Sequence, residues 1–280
     1  MSYKIPFPKL SNSQINKQLL SSGENSISIH SDISKLLLFD FKNKQGYLNH
    51  HLNNLFEITE GFDLWMPSFN YDFLKTLIYE VGSDIIQVGI LNSFFNQQSS
   101  WRTTTPVFNF CGNGYYPLPE LKPDTVINPF SHFSEFGHLY RSNSIYGFYG
   151  ANLSSCTLLH FAECLSQNLL YRYPKFFKGK VILSEQEINV KLKYYVRPLN
   201  NMVIYNWGKI KFDLIHNDLY HEIKVQNFDY FSFFNVKNVV DFWVDKINSD
   251  PYYFLEDESK KNIKLKIENL GRGFELKDFE

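Results

Sequence analysis

The chain of 280 residues carries 28 basic and 29 acidic side chains, for a formal charge of −1, and is 44% hydrophobic. This near-neutral balance supplies no field to hold a polyanion, which argues against nucleic acid as a partner, and the apolar fraction excludes general disorder. No run of eighteen or more apolar residues offers a membrane span.

The first residues, MSYKIPFPKLSNSQ, lack a continuous apolar leader, and the three cysteines are unevenly spaced with no metal-type pair. A cytoplasmic protein without a metal is therefore expected. Residues 13–20 read as a short helix and 22–25 as a turn. Residues 26–30 alternate polar and apolar, a period of two that predicts a strand ending at His30. Ser31 or Asp32 then caps the next segment. A hydroxyl and free N–H groups at such a cap suit a phosphate or carbonyl oxygen, or an ordinary capped helix with His30 in the core.

Residues 62–69 read as a second strand, closing near Pro67, which cannot donate to a ladder. Asn70, Tyr71 and Asp72 emerge beyond it, where the Asp72 carboxylate suits a cationic amine or a helix cap. Residues 88–95 have a helical pattern, weakened by Gly82 and Gly89. Arg102 is the lone cation of 99–114, and its planar fork suits a phosphate, a carboxylate or a salt bridge. Residues 115–125, with Pro117, Pro119 and Pro123, make an irregular connection. A polar, aromatic loop at 128–134, containing His132 and Ser134, precedes a helix signal at 139–140.

In 144–180 an apolar run (145–149) leads into a small-residue turn (150–155) and a helix-like segment that sets His160 and Glu163 three residues apart on one face. Ligands gather beyond strand ends in α/β proteins, where helix N-termini present unpaired N–H groups. His160 and Glu163 fit a base and its orienter, or a base and a separate carboxylate facing substrate. Cys156 reads as a thiol nucleophile or as a small buried side chain. Residues 181–196 and 201–215 alternate β-branched and aromatic side chains, which predicts an antiparallel excursion with a turn at Arg197-Pro198-Leu199-Asn200-Asn201. Residues 235–247 read as a helix. One domain over 1–280, with a β-rich insertion at about 181–230, is the simplest organisation. There is no Gly-x-Ser-x-Gly elbow, Walker loop or dinucleotide fingerprint.

Several segments, in order, resemble the aminoglycoside 3-N-acetyltransferase family, whose members transfer an acyl group from acetyl-coenzyme A to an amine. Ile29-His30-Ser31-Asp32-Ile33-Ser34 is similar to the family's apolar-His-Ser-Ser-Leu-Ser segment, and Met66-Pro67-Ser68-Phe69-Asn70 to Met-Pro-Thr-Phe-Thr. Gly89-Ile90-Leu91 stands where the family has Gly-Ala-Leu, and Arg102-Thr103 where it has Arg-Ser. Thr157-Leu158-Leu159-His160-Phe161-Ala162-Glu163 resembles Thr-Ser-Leu-His-Leu-Ala-Glu, the most specific piece. The likeness covers about residues 25–180. It implies an α/β fold, a three-layer α/β/α core with a mixed sheet, plus an antiparallel β-rich region in the C-terminal third.

One departure concerns His-Pro-x-His-Ser, in which the family's general base is assigned. This chain has Thr105-Pro106-Val107-Phe108-Asn109, without either histidine. The Pro-x-Phe form, with Tyr171-Arg172-Tyr173-Pro174 and Leu270-Gly271-Arg272-Gly273, is more similar to a branch encoded with surface-polysaccharide genes. The resemblance thus implies N-acylation of an amino sugar, nucleotide-linked, by direct attack on an acyl-CoA thioester. The alternatives are an aminoglycoside acetyltransferase that confers resistance and an inactive coenzyme A- or sugar-binding homologue. It implies His160 as base with Glu163 orienting it and His30 as runner-up. The backbone around Ser31 or Ser154 would hold the thioester oxygen, His30, Ser31, Asp32, Arg102 and Ser134 would serve the co-substrate, and Asp72, Asn70 and Tyr71 the sugar. No metal is implied, and an oligomer is left open.

Overall fold

A computed structural model of the chain describes residues 12–36, 43–83, 85–114, 116, 118–166, 168–198, 202–225 and 228–279. The strands are β1 (Ser26–Ser31), β2 (Asp63–Pro67), β3 (Ile78–Glu80), β4 (Trp101–Arg102), β5 (Phe110–Gly112), β6 (Thr125–Ile127), β7 (Ile145–Tyr149), β8 (Tyr173–Leu183), β9 (Gln186–Val196), β10 (His221–Val225) and β11 (Phe228–Asn235). The helices are α1 (Asn12–Leu20), α2 (Lys44–Ile58), α3 (Phe73–Thr76), α4 (Ile90–Asn96), α5 (Glu135–Arg141), α6 (Leu158–Leu165), α7 (Trp207–His216), α8 (Val236–Ser249) and α9 (Asp257–Leu270).

Seven strands form a mixed sheet in the order β10-β11-β7-β1-β2-β5-β4. Its centre is parallel: β1 lies between β7 and β2, with Ile27 opposite Ile145 on one side and Leu64 on the other. Antiparallel strands flank this centre, β11 against β7 and β5 against β2. Residues 26–30 are buried without exception, as a central parallel strand covered on both faces must be. The two faces feed separate apolar layers. Ile27, Ile29, Ile145 and Tyr149 pack with Ile15, Leu52, Leu55 and Phe95 of α1, α2 and α4. Tyr146, Phe148 and Phe234 pack with Phe136, Leu158, Phe161 and Trp243 of α5, α6 and α8. The result is the expected three-layer α/β/α sandwich.

A second sheet of four strands, β3-β8-β9-β6, is built on the β8–β9 hairpin. Exposure alternates along β8, the period-two signature of a sheet with one face on the core. The hairpin turns at Ser184 and Glu185, which hold φ of 52° and 117°, and not at Arg197-Pro198, which follow the end of β9; 199–201 lie outside the described residues, as do Tyr115 and Pro117 of the proline-rich connection.

Of the residues 201–215 read as strand, 207–215 depart from that reading. Trp207–His216 is helical, with the Asn206 side chain accepting from Lys209 N at its start. The alternation at Ile210, Phe212 and Leu214 suggested a strand, yet Phe212 is 66% exposed and only Ile210 and Leu214, four apart, reach the core. One apolar side chain facing solvent was enough to imitate a period of two. Within the region expected to be β-rich, α7 thus separates β9 from β10 and β11, and the latter pair joins the large sheet beside β7.

Candidate active site

The carboxyl ends of the parallel strands β1, β2 and β7 meet at the centre of the sheet, where β1 connects to β2 on one side and lies against β7 on the other, a position in an open α/β sheet at which a crevice forms. A cleft of about 700 Å³ lies there, lined by His30, Ser31 and Asp32 at the end of β1, Pro67, Phe69 and Tyr71 at the end of β2, Gly89 and Asn92 at α4, and Ala151, Asn152, Ser154 and Ser155 beyond β7. Asn92 ties two of these ends together, accepting from the Ser31 hydroxyl at 2.5 Å and donating to Pro67 O at 2.7 Å. Gly150 turns the chain out of β7 at φ 66°, and a Cβ there would sit 2.6 Å from Asp32 O and 2.7 Å from Leu36 Cγ. Only glycine fits that close approach and that backbone conformation.

The turn after Gly150 runs through a short 3-10 segment, Leu153–Ser155, into α6. A second cavity of about 300 Å³ opens on its other side, lined by His160, Arg172, Tyr194, Arg197, Tyr205 and Trp207. Ser154, Ser155 and Thr157 border both spaces. One wall of hydroxyl-bearing residues therefore separates, and joins, a long cleft and a smaller chamber that holds the histidine of α6.

His160 is held from behind. Its Nδ1 lies 2.9 Å from Glu163 Oε2, the one-turn spacing expected from positions three apart. Glu163 is fully buried: the Tyr171 and Tyr205 hydroxyls donate to Oε1 at 2.8 and 2.7 Å, and Arg172 forms an ion pair with it, Nε lying 2.8 Å from Oε2 without hydrogen-bond alignment. Arg172 also donates to Tyr205 Oη at 2.6 Å and to Tyr195 O at 2.8 Å. Burial alone would raise the Glu163 pKa. The Arg172 guanidinium, helped by His160 and Tyr205, outweighs it and holds the carboxyl at about 2.

An ionised carboxylate can only accept, so Nδ1 of His160 carries the hydrogen and Nε2 keeps its lone pair. Arg172 Nη2 also approaches Nδ1, at 3.0 Å, a contact that favours the opposite tautomer. The carboxylate prevails, because its bond is charge-assisted and Nη2 already has Tyr205 to donate to. Burial and the Arg172 charge push the His160 pKa below the ordinary 6.5, with Glu163 opposing them. The ring, 23% exposed, thus presents a neutral, oriented imidazole to the chamber.

The other residues singled out in the sequence scatter. His30 borders the cleft but is 7% exposed, contacts Tyr146 Oη at 2.6 Å through Nε2, and is pushed down to about 3 by burial. Ser31, Asp32 and Tyr71 line the cleft; Asp32 pairs with Lys35 at 3.0 Å. Asn70 and Asp72 stand outside its lining, where Asn70 Oδ1 accepts from Asp72 N at 2.9 Å and Asp72 accepts from Gln87 at 2.9 Å. Ser134 caps α5, accepting from Gly137 N. Arg102 is buried, and its guanidinium donates to Asn109 Oδ1 and to the carbonyls of Ser68, Val81 and Ser83. Arg102→Gln is therefore expected to cost about 3 kcal/mol or more of stability by orphaning those carbonyls, while any affinity of the folded protein for coenzyme A, the co-substrate that the sequence resemblance implies, stays within about twofold. Urea titration and calorimetry together check this, and a selective loss of affinity would return Arg102 to the binding site.

Cys156 is 3% exposed and burial pushes its thiol up to about 12, leaving no thiolate near neutrality. If the chain transfers acyl groups as the sequence resemblance implies, Cys156→Ser is expected to keep that transfer within about twofold and to trap no acyl adduct by mass spectrometry. At the two positions where the resemblance places histidines, Thr105 donates to buried Glu135 at 2.6 Å, and Phe108 packs among Phe69, Phe130 and Tyr194, with Phe130 in edge contact with His160. Sequence reasoning missed Tyr171, Arg172, Tyr205 and Arg197 as site residues. The signal for Arg172 was a cation set between two tyrosines just after α6. Among the described residues no group of three His, Cys, Asp or Glu is placed to hold a metal, and no helix is long and apolar enough to cross a membrane.

Solved structures share this fold. Aminoglycoside acetyltransferase AAC(3)-Xa matches with a TM-score of 0.62 at 14% identity, over 88% of this chain and 94% of that one. AAC-IIIb, solved as a binary complex with CoASH, matches with 0.62 at 13% identity, over 85% of this chain and 96% of its own. The YokD protein from Bacillus subtilis gives 0.60 at 15%, over 85% and 94%. No protein-family model matches the chain, and no curated protein does. The fold is thus that of the aminoglycoside acetyltransferases, at identities that speak for architecture alone.

Proposed function

We propose that the protein is an acyl-CoA-dependent N-acyltransferase that acylates the amine of an amino sugar, nucleotide-linked and used in a surface polysaccharide. The observation that carries this reading is the junction at Ser154, Ser155 and Thr157, where the long cleft meets the chamber of His160. The cleft volume lies in the range of small-molecule sites, and a structure of the same fold has been solved with CoASH. The motif likeness at 157–163, and the Pro-Val-Phe and Tyr-Arg-Tyr-Pro segments, support the amino-sugar branch over drug resistance. Acyl-CoA and nucleotide-linked sugars are cytoplasmic metabolites, which sets the reaction there.

The acyl thioester supplies an activated carbonyl carbon. An ammonium has no lone pair, so the acceptor first sheds one proton to solvent; as the neutral amine attacks, nitrogen gives up a second proton, and His160 Nε2 accepts it. Glu163 fixes the tautomer and balances the charge that His160 gains. As the carbon–nitrogen bond forms, the carbon–sulfur bond breaks, and the proton on His160 is available to the leaving thiolate. Gly150 N and Ser155 N already donate to Tyr230 O and Asn152 O, so the Ser154 N–H is the group of this turn at the shared wall that suits the oxygen that becomes negative. A screen of acyl-CoA donors against amino sugars, read by free-thiol release, tests the proposal. Binding of both ligands without thiol release would instead favour the inactive homologue, a reading prompted by Thr105 and Phe108.

A further inference from the structure

The chamber around His160 has a sign. Of its lining residues among those described, two are arginines, Arg172 and Arg197, and none is Asp or Glu. Arg172 is neutralised by its ion pair with Glu163, and its Nη1 and Nη2 donate to Tyr195 O and Tyr205 Oη. Arg197 is different. It follows the last residue of β9, is exposed, and its hydrogen bond among the described residues goes from Nη1 to Val203 O at 3.0 Å. Pro198 after it disfavours a helical backbone, which keeps the side chain at the strand end beside the chamber. Tyr194, Tyr205 and Trp207 complete the wall, with the Tyr205 and Trp207 rings 5.7 Å apart.

We infer that Arg197 docks an anionic group, a phosphate or carboxylate, carried by the acceptor whose amine meets His160, with the aromatic wall covering the sugar ring. The inference rests on the acyl-transfer reading and names the acceptor class for it. A guanidinium presents paired N–H groups in the geometry that either anion accepts. Neutralising one anion matches the uncompensated charge of the chamber. A polycationic acceptor would bring several ammonium groups against Arg197 with no carboxylate to receive them, which is repulsive and selects against it.

The test measures binding by calorimetry to wild type, Arg197→Gln and Arg197→Lys. The ligands are an amino-sugar phosphate, an amino-uronate, the same amino sugar without the anion, and a polycationic aminoglycoside. Wild type is expected to bind one or both anionic sugars about tenfold or more tighter than the anion-free sugar. The tighter of the two identifies the anion. Arg197→Gln should erase that preference and Arg197→Lys should restore part of it, the preference being read as the ratio of affinities for the anionic and anion-free sugars within each variant. Equal affinity for all sugars, tighter binding of the polycation, or an undiminished preference in Arg197→Gln would overturn the inference. Thiol release is read in parallel. Anion-selective binding without thiol release supports the Arg197 site and removes the transferase reading, whereas thiol release without anion preference does the reverse.

Discussion

On the acyl-transfer reading proposed above, His160→Ala is expected to lower kcat by about 10²- to 10⁴-fold, the span associated with losing a positioned general base, while the protein stays folded. The ring is held against Glu163, but Glu163 keeps Arg172, Tyr171 and Tyr205 when it goes, so the buried charge remains matched. His30→Ala should lower kcat by less than about tenfold. His30 is pushed down to about 3 and contacts Tyr146, which suits packing at the cleft wall and not proton transfer. The pH profile gives a second readout. A base whose pKa lies below 6.5 is already unprotonated at neutral pH, so kcat should climb with pH through a midpoint under 6.5 and then level. If His160→Ala kept wild-type kcat, or if the two single variants fell equally, the assignment of the base would be wrong.

Much of this site is legible in the amino-acid sequence, and the parts that are share a cause. The i, i+3 spacing dictates the meeting of His160 with Glu163, because helical geometry alone brings such side chains together. Gly150 marks the exit from β7, and the order strand, turn, helix places the pair beyond a strand end. The groups that escape notice come from segments distant in sequence. Tyr205 reaches Glu163 across 42 residues, and Arg197 enters the chamber because the β8–β9 pairing, Tyr173 opposite Val196, brings it beside Arg172. Arg102 shows the converse. A lone cation in a polar stretch suggests an anion, but the fold buries it among carbonyls that 68, 81 and 83 bring from other loops. Local periodicity also misleads where exposure breaks the usual rule, as Phe212 does in α7. Sequence thus conveys what one helix or turn enforces, and withholds what is decided by which loops close over an end.

The largest effect on stability is expected from Glu163→Gln. The substitution keeps the shape and removes the charge that matches Arg172, which is 5% exposed. Breaking a buried ion pair from one side typically costs about 3–5 kcal/mol, because the remaining charge is left without its partner. Urea unfolding near pH 7 should register that loss as a lower midpoint with little change in slope. Acid supplies an independent check on sign. Glu163 is held at about 2 in the folded chain against an ordinary 4.5, so its contribution is fully present above pH 4.5 and is lost as pH falls from there towards 2. His160, lowered from 6.5, acts in the same direction over a higher window, since the unfolded chain takes up its proton first. Wild type should therefore lose stability steadily below pH 6.5, and Glu163→Gln should show a shallower fall below pH 4.5. With the carboxylate gone, Arg172 is unopposed beside Nδ1, so the His160 pKa should drop further and the rising limb of kcat should move to lower pH. A variant as stable as wild type, with an unmoved pH profile, would show that Glu163 neither balances Arg172 nor orients the base.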